Sequence, residues 1–373
     1  MKRDFSNVKR LVIKIGTNTL SKDGKINIDY IESVAGQVAS IKSRGIKPLL
    51  VSSGAIGFGA SELGIEKRIT KTRLKQACAA VGQPMLMHRY RLAFQQFGIP
   101  IGQVLITKDN FDNRDTSVNL RTSVETLLEL GVVPIFNEND CVSTREIAPY
   151  IGDNDQLSAY IASNLDAELL IILTDIDALY DKNPRQYPDA KPIHYVEKLT
   201  DEIFQSAGDA GSTFSTGGMK TKLKAVAIAA EAGCHTVLAH GAESRILARI
   251  IDGEKVGTWF APGERLSNRV RWILNSTPHG FLEVDAGAEQ ALESRKSLLP
   301  SGIRHIEGEF NPGDVILINR KFKAVAGSSS SDMRRIMGRH SKDAADILGR
   351  EVKRDVISRS SDIVRVRPFF NEE

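Results

Sequence analysis

Apolar residues follow two rhythms along the first two thirds of the chain. Short unbroken runs at 11–15, 48–51, 104–107, 132–136, 169–174 and 236–239 alternate with stretches of helical periodicity at 28–43, 72–97, 118–130, 155–165 and 219–232. A strand with no polar alternation is buried on both faces. Such strands alternating with helices predict an α/β fold, a mainly parallel sheet sandwiched by helices. In that architecture ligands collect beyond the C-terminal strand ends.

The rhythm breaks after Phe260, where Ala261-Pro262-Gly263-Glu264 reads as a linker. A basic, aromatic connection follows around 269–273. From Gly280 on, strand-like pieces at 281–284, 302–307, 315–318 and 323–326 are separated by turns, with Asn311-Pro312-Gly313-Asp314 the strongest of them. The serines at 328–331 read as a loop. The division expected is residues 1–262, a linker at 263–279, and a small β-rich domain at 280–373. A chain of 373 residues suits two cores.

The candidate chemistry sits at strand ends. Ser52-Ser53-Gly54-Ala55-Ile56-Gly57-Phe58-Gly59 leaves one strand and opens a helix, an arrangement that can offer backbone N–H groups to an anion or be purely structural. It matches neither GxGxxG nor a Walker A loop. Thr216-Gly217-Gly218-Met219-Lys220-Thr221-Lys222 is a second turn of this kind, with lysines where the helix dipole disfavours cations. A bound phosphate would account for them; an exposed basic first turn is the plainer alternative. Lys14 lies inside an apolar strand, so it either reaches a solvated strand end or edge, or meets a phosphate. Asn137-Glu138-Asn139-Asp140, Gly152-Asp153-Asn154-Asp155 and Thr174-Asp175 add acids and amides at strand ends or helix starts. Asp155 fits a plain helix N-cap as well as a ligand role.

Composition narrows the picture. A net charge of +4 suits anionic substrates without marking a nucleic-acid binder. Cys78, Cys141 and Cys234 show no metal-ligand spacing and read as buried or reduced thiols in a cytoplasmic protein. No signal peptide or membrane span is evident, and the histidines form no cluster. Lysines, glycine turns, carboxylates and amides, with no nucleophile–base pair legible, form the inventory of phosphoryl transfer.

Taken in order, the motifs at 11–17, 51–56, 137–140, 152–155, 173–175 and 216–222 resemble the amino-acid kinase family, within it the branch that phosphorylates glutamate. The region with Gly280-Phe281-Leu282, Ser297–Gly302 and Gly308–Gly313 looks like a PUA domain. The resemblance covers nearly the whole chain. It implies ATP-dependent phosphorylation of the L-glutamate side-chain carboxylate, the entry to proline synthesis, with Mg2+ accompanying ATP and no protein metal ligands of its own. It implies that Lys14 and Lys222 neutralise the moving phosphoryl group, with Asp140 orienting them and touching substrate. Ser53, Gly54, Asn137, Asp140, Asp153 and Asn154 would hold glutamate. Lys14, Thr174, Asp175, Thr216, Gly217, Gly218, Met219, Lys220, Thr221 and Lys222 would hold ATP. Proline inhibition and a homo-oligomer also follow. Two departures from the family pattern are a longer loop at 147–150 and Ala178 in place of a common glycine.

Physical chemistry agrees with a carboxylate acceptor. A glutamate side chain, with a reference pKa of about 4.3, is ionised near neutral pH and needs no general base. It needs its repulsion from triphosphate offset. Two rivals stand beside this reading. One is a kinase of aspartate, N-acetylglutamate, carbamate or a nucleotide. The other is an RNA-binding protein, given the PUA-like region and its local cluster Arg334, Arg335, Arg339 and His340. From Gly280 onward 16 lysines and arginines face 15 aspartates and glutamates, which leaves no broad electrostatic footprint for RNA.

Overall fold

The computed structural model describes residues 3–22, 25–67, 69–142, 154–184, 186–206, 218–349 and 357–366. They fall into two compact units, Met1–Arg265 and Leu266–Glu373.

The first unit is built on an eight-stranded sheet. In chain order its strands are β1 (Arg10–Ile15), β2 (Lys47–Ser52), β3 (Ile101–Ile106), β4 (Val133–Glu138), β5 (Leu169–Thr174), β6 (Tyr195–Val196), β7 (His235–His240) and β8 (Thr258–Phe260). Their order across the sheet is β6-β8-β7-β5-β1-β2-β4-β3. All pairings are parallel except that of β7 with β8. The central strands β1, β5 and β4 are buried almost throughout, as their unbroken apolar runs require. The expected sheet sandwiched by helices is thus the one observed.

The helices that bear on function are α1 (Ile28–Ser43), α2 (Ala55–Glu62), α3 (Thr72–Gln95), α4 (Arg114–Glu129), α5 (Asn154–Asn164) and α6 (Met219–Glu231). Helix α4 starts four residues before the periodic stretch at 118–130, because Asn113 caps it by accepting from the Thr116 N–H at 3.0 Å. Helices α2 and α3 meet backbone to backbone. A Cβ on Gly59 would lie 1.8 Å from the Cys78 carbonyl oxygen, and one on Gly82 1.9 Å from that of Ala55. Helix α5 is buried from Asp155 to Ser163 and packs on α6, and both helices are rich in buried alanine.

The second unit carries a five-stranded sheet: β9 (Gly280–Val284), β10 (Ile303–Gly308), β11 (Val315–Ile318), β12 (Phe322–Val325) and β13 (Ile363–Arg365), ordered β10-β9-β11-β12-β13. Its own core includes Leu282, Ile316, Ala324, Met333 and Ile357. Helices at Ala286–Glu293 and Ser330–Ile336 cover it. The serine run is not a plain loop: Ser329 accepts from the Asp332 N–H at 3.2 Å and so caps the second helix. The stretch read as a connection is a helix, Asn268–Asn275, capped by Ser267, with Arg271 and Ile273 buried. Of the basic cluster, Arg334 holds Glu309 and the Gly308 carbonyl, and Arg335 donates to the Ile347 carbonyl.

Candidate active site

Lys14 occupies the central strand. Its Cα partners are Val51 on β2 and Ile172 on β5, so an edge position is excluded. Its side chain is 6% exposed and ends on Asp155, with Nζ 2.5 Å from Oδ1. Lys222, in the second turn of α6, is equally buried and places Nζ 3.0 Å from Asp155 Oδ2. Asp155 itself is 0% exposed. One carboxylate therefore spans two ammonium groups that arrive from different elements. It lies in the first turn of α5, where the dipole favours a negative charge. Nothing in an Asp at a helix start distinguished this role from capping. The available clue was the apolar and small residues on every side of α5, which leave no solvent-facing place for the carboxylate.

The lysines of the 216–222 turn divide. Lys222 points into the protein, whereas Lys220 is exposed. Gly218 is the N-cap of α6 with no side-chain cap, and Thr221 Oγ1 instead donates to the Gly218 carbonyl at 2.8 Å. Met219 is half-buried in the same turn. Thr216, Gly217, Asp153 and the 147–150 loop lie outside the described residues. The Ala178 departure is buried just before the short strand Leu179–Tyr180.

Beyond the end of β5, Thr174 donates to Asp175 Oδ1 at 3.0 Å and Asn18 donates to Oδ2 at 3.1 Å. Burial opposes ionisation of Asp175. Hydrogen bonds from Asn18, Thr174 and its own amide, together with the Lys222 charge, outweigh burial and hold the carboxyl below its usual range. Asn18 was not singled out from sequence.

A second polar cluster forms where β2, β4 and α5 converge. Asn154 Nδ2 lies 2.8 Å from the Ser52 carbonyl, 2.9 Å from Ser53 Oγ and 2.9 Å from Asn137 Oδ1. Asn137 Oδ1 also accepts the Glu138 N–H at 2.9 Å. Gly54 takes φ of 101°, which only glycine adopts readily, and opens α2 beside Ser53. Asp140 follows β4 in the turn after it, half-buried. Asp155 meets both lysines and was not among the site residues expected from the resemblance, which gave the orienting role to Asp140. Ser53, Asn137 and Asn154, far apart in sequence, are thus joined in one network.

Two lysines locked to a buried carboxylate, at the C-terminal end of a parallel sheet and beside two helix N-termini, have the chemistry to receive a multiply charged anion. The profile of the amino acid kinase family matches residues 9–240, and that of the PUA domain residues 280–348. The chain belongs to the amino acid kinase family. Among its kinase relatives, the glutamate 5-kinase of Methanosarcina mazei is 42% identical over 370 residues, 96% of each chain. The glutamate 5-kinase of Syntrophotalea carbinolica is 41% identical over 374 residues, 98% of this chain and 100% of that one. A carbamate kinase from Giardia lamblia bound to AMP-PNP superposes with a TM-score of 0.50 at 16% identity, covering 69% of this chain and 99% of that one. At that identity the likeness is one of kinase fold. No helix among the described residues is long and apolar enough to cross a membrane, and Cys141 is exposed while Cys78 and Cys234 are buried.

Proposed function

We propose that this amino acid kinase transfers the γ-phosphoryl group of ATP to the side-chain carboxylate of L-glutamate, forming L-glutamyl 5-phosphate at the first step of proline synthesis. The observation that carries the reading is the Lys14–Asp155–Lys222 bridge, set beside an amide cluster, in a chain that aligns over 96% of its length with a glutamate 5-kinase. The acceptor carboxylate arrives ionised, so the protein has only to position two anions and offset their repulsion. Lys14 and Lys222 supply the positive charge, and Asp155 fixes where the two ammonium groups point.

The amide cluster suits the amino-acid end. The two N–H groups of Asn154 Nδ2 are shared among three acceptors, so its remaining offer to a ligand is the Oδ1 acceptor, which fits an ammonium group. Ser53 Oγ accepts from Asn154, which leaves its O–H to donate to a carboxylate. The N-terminus of α2 at Gly54 adds backbone donors. Asp140, Asn137 and Asp153 complete the glutamate side. Thr174, Asp175 and the turn from Thr216 to Lys222 take the nucleotide.

Mg2+ fits this donor set. Among the described residues no three His, Cys, Asp or Glu side chains gather as a metal cage. Mg2+ retains waters and rides on phosphates with one or two carboxylates, and Asp175, held ionised, can supply one. When bound, the ion would neutralise charge on the nucleotide. The same reading places the enzyme in the cytoplasm, as a homo-oligomer inhibited by proline.

ADP release with a panel of acceptors tests the proposal. L-Glutamate should drive turnover that needs both ATP and Mg2+. Clear preference for aspartate, N-acetylglutamate, carbamate or UMP would overturn it.

A further inference from the structure

The amide network does not end at the residues that face the ligand. Asn137 Nδ2 donates to Gln83 Oε1 at 2.8 Å, across 54 positions of sequence. Gln83 is only 8% exposed and stands on α3. Seven residues on, two helical turns along the same face, Tyr90 is fully buried with its hydroxyl 3.0 Å from Ser52 Oγ. Helix α3 thus reaches under the site at two points: the end of β4, through Asn137, and the end of β2, through Ser52.

The chemistry of an amide makes the Gln83 contact directional. Asn137 Oδ1 already accepts from Asn154 Nδ2 and from the Glu138 N–H. Its Nδ2 must then donate, and it faces the Gln83 carbonyl oxygen. A flipped Asn137 would set its NH2 against two donors and its oxygen against an acceptor. Gln83 therefore reinforces the amide orientation that the Glu138 N–H already demands, and that orientation is the one that holds Asn154.

Backbone geometry keeps Gln83 at this depth. Gly82, its neighbour, lets α3 approach α2 closely enough that any Cβ would strike the Ala55 carbonyl. Burial pushes the Tyr90 phenol up from its ordinary range, so Tyr90 stays protonated and keeps its Ser52 contact.

We infer that Gln83 is a positioning residue for the amino-acid substrate: it helps fix the amide face of Asn137, and through it Asn154, without touching the phosphoryl group. This rests on the glutamate reading above. Such a residue should act more on glutamate affinity than on ATP handling, because its hydrogen bond runs to the amide cluster, while Asp155, next to Asn154, is held by its own two lysines.

The test is a double-mutant cycle on the full chain with Gln83→Met, Asn137→Ala and both together. Met keeps the length and bulk of Gln but cannot accept the hydrogen bond. The Asn137 amide, left without its acceptor, loosens its hold on Asn154, so the KM for glutamate of the Gln83→Met variant should rise about fivefold or more, on the scale of one lost buried hydrogen bond. The KM for ATP should stay near wild type. In the Asn137→Ala background, Gln83→Met should add almost nothing, since the contact through which it acts has been removed. Circular dichroism and thermal melts confirm that each variant is folded. An unchanged glutamate KM in a folded Gln83→Met variant overturns the inference. So does an effect fully additive with Asn137→Ala, or a parallel rise in the KM for ATP. If the wild-type protein itself shows no glutamate-dependent turnover, the failure lies in the functional reading instead.

Discussion

Replacing Asp155 by Asn probes the centre of the site with the smallest change of shape. The carboxylate is 0% exposed and holds Lys14 at 2.5 Å and Lys222 at 3.0 Å on separate oxygens. Both lysines are themselves nearly buried, so the figure for a surface pair, about 0–1 kcal/mol, does not apply. Removing one partner of a buried ion pair costs about 3–5 kcal/mol. An amide can still accept from one lysine but turns its NH2 toward the other, setting donor against donor. We therefore expect the Asp155→Asn variant to lose about 3–5 kcal/mol of stability in urea titrations without nucleotide. Turnover depends on where both ammonium groups point, and misplacing one charge donor costs about 10²- to 10³-fold in kcat. That range is the minimum expected here. The assay is ADP release at saturating ATP and glutamate, beside equilibrium unfolding of the same preparation. A folded Asp155→Asn variant with near wild-type kcat would refute the idea that this carboxylate organises the transfer.

Lys14→Ala and Lys222→Ala should each lower kcat far more than they raise KM, by about 2.7–4 kcal/mol of transition-state stabilisation; a near-normal kcat in either folded variant removes that lysine from the chemistry. Gly82→Ala forces a methyl group to 1.9 Å from the Ala55 carbonyl, so the melting temperature should drop sharply, and an unchanged melt would contradict the close packing of α2 on α3. His235 is packed by Phe5 and Trp259, its Nδ1 accepts from the Trp259 indole at 3.2 Å, and burial lowers its pKa from 6.5. Because the folded state disfavours the proton, this contribution is complete above about pH 6.5 and is lost as pH falls below it toward the lowered value. His235→Gln, which accepts but does not titrate, should flatten that part of the stability–pH curve. Residues 1–265 should fold and phosphorylate glutamate alone, since every residue assigned to chemistry lies before Gly241. A cut after Pro262 is less favourable, because Arg265 binds Asp166 at 2.7 Å and the Gly263 N–H donates to the Ala230 carbonyl at 3.1 Å. A folded but inactive fragment would mean that the second unit completes the site.

The sheet was legible because its central strands are buried on both faces, which gives unbroken apolar runs such as 169–174. Strands β6 and β8 were not: two or three residues carry no period, and β8 is a strand only because β7 pairs with it, and β6 only because β8 does. Helix Asn268–Asn275 was hidden in a stretch whose Pro-Gly approach and basic composition resemble a linker, while its burial depends on the second core. At the site, Lys14 stood out because a lysine in an apolar strand is costly. Lys222 stood out against the helix dipole. Asp155 did not, because a carboxylate at a helix start is ordinary until its partners are known. Asn18, Gln83 and Tyr90 are uncharged or aromatic residues within plain helices, and their roles come from tertiary contacts alone.

The most direct test of the account is to trap the product. With ATP, Mg2+, L-glutamate and hydroxylamine, an acyl phosphate on the side chain is captured as a hydroxamate whose position can be read by mass spectrometry or NMR. The account predicts γ-glutamyl hydroxamate in one-to-one ratio with ADP, and loss of both together in the Lys222→Ala variant. ADP formed from glutamate without any γ-hydroxamate, or a hydroxamate on the α-carboxylate, would contradict it.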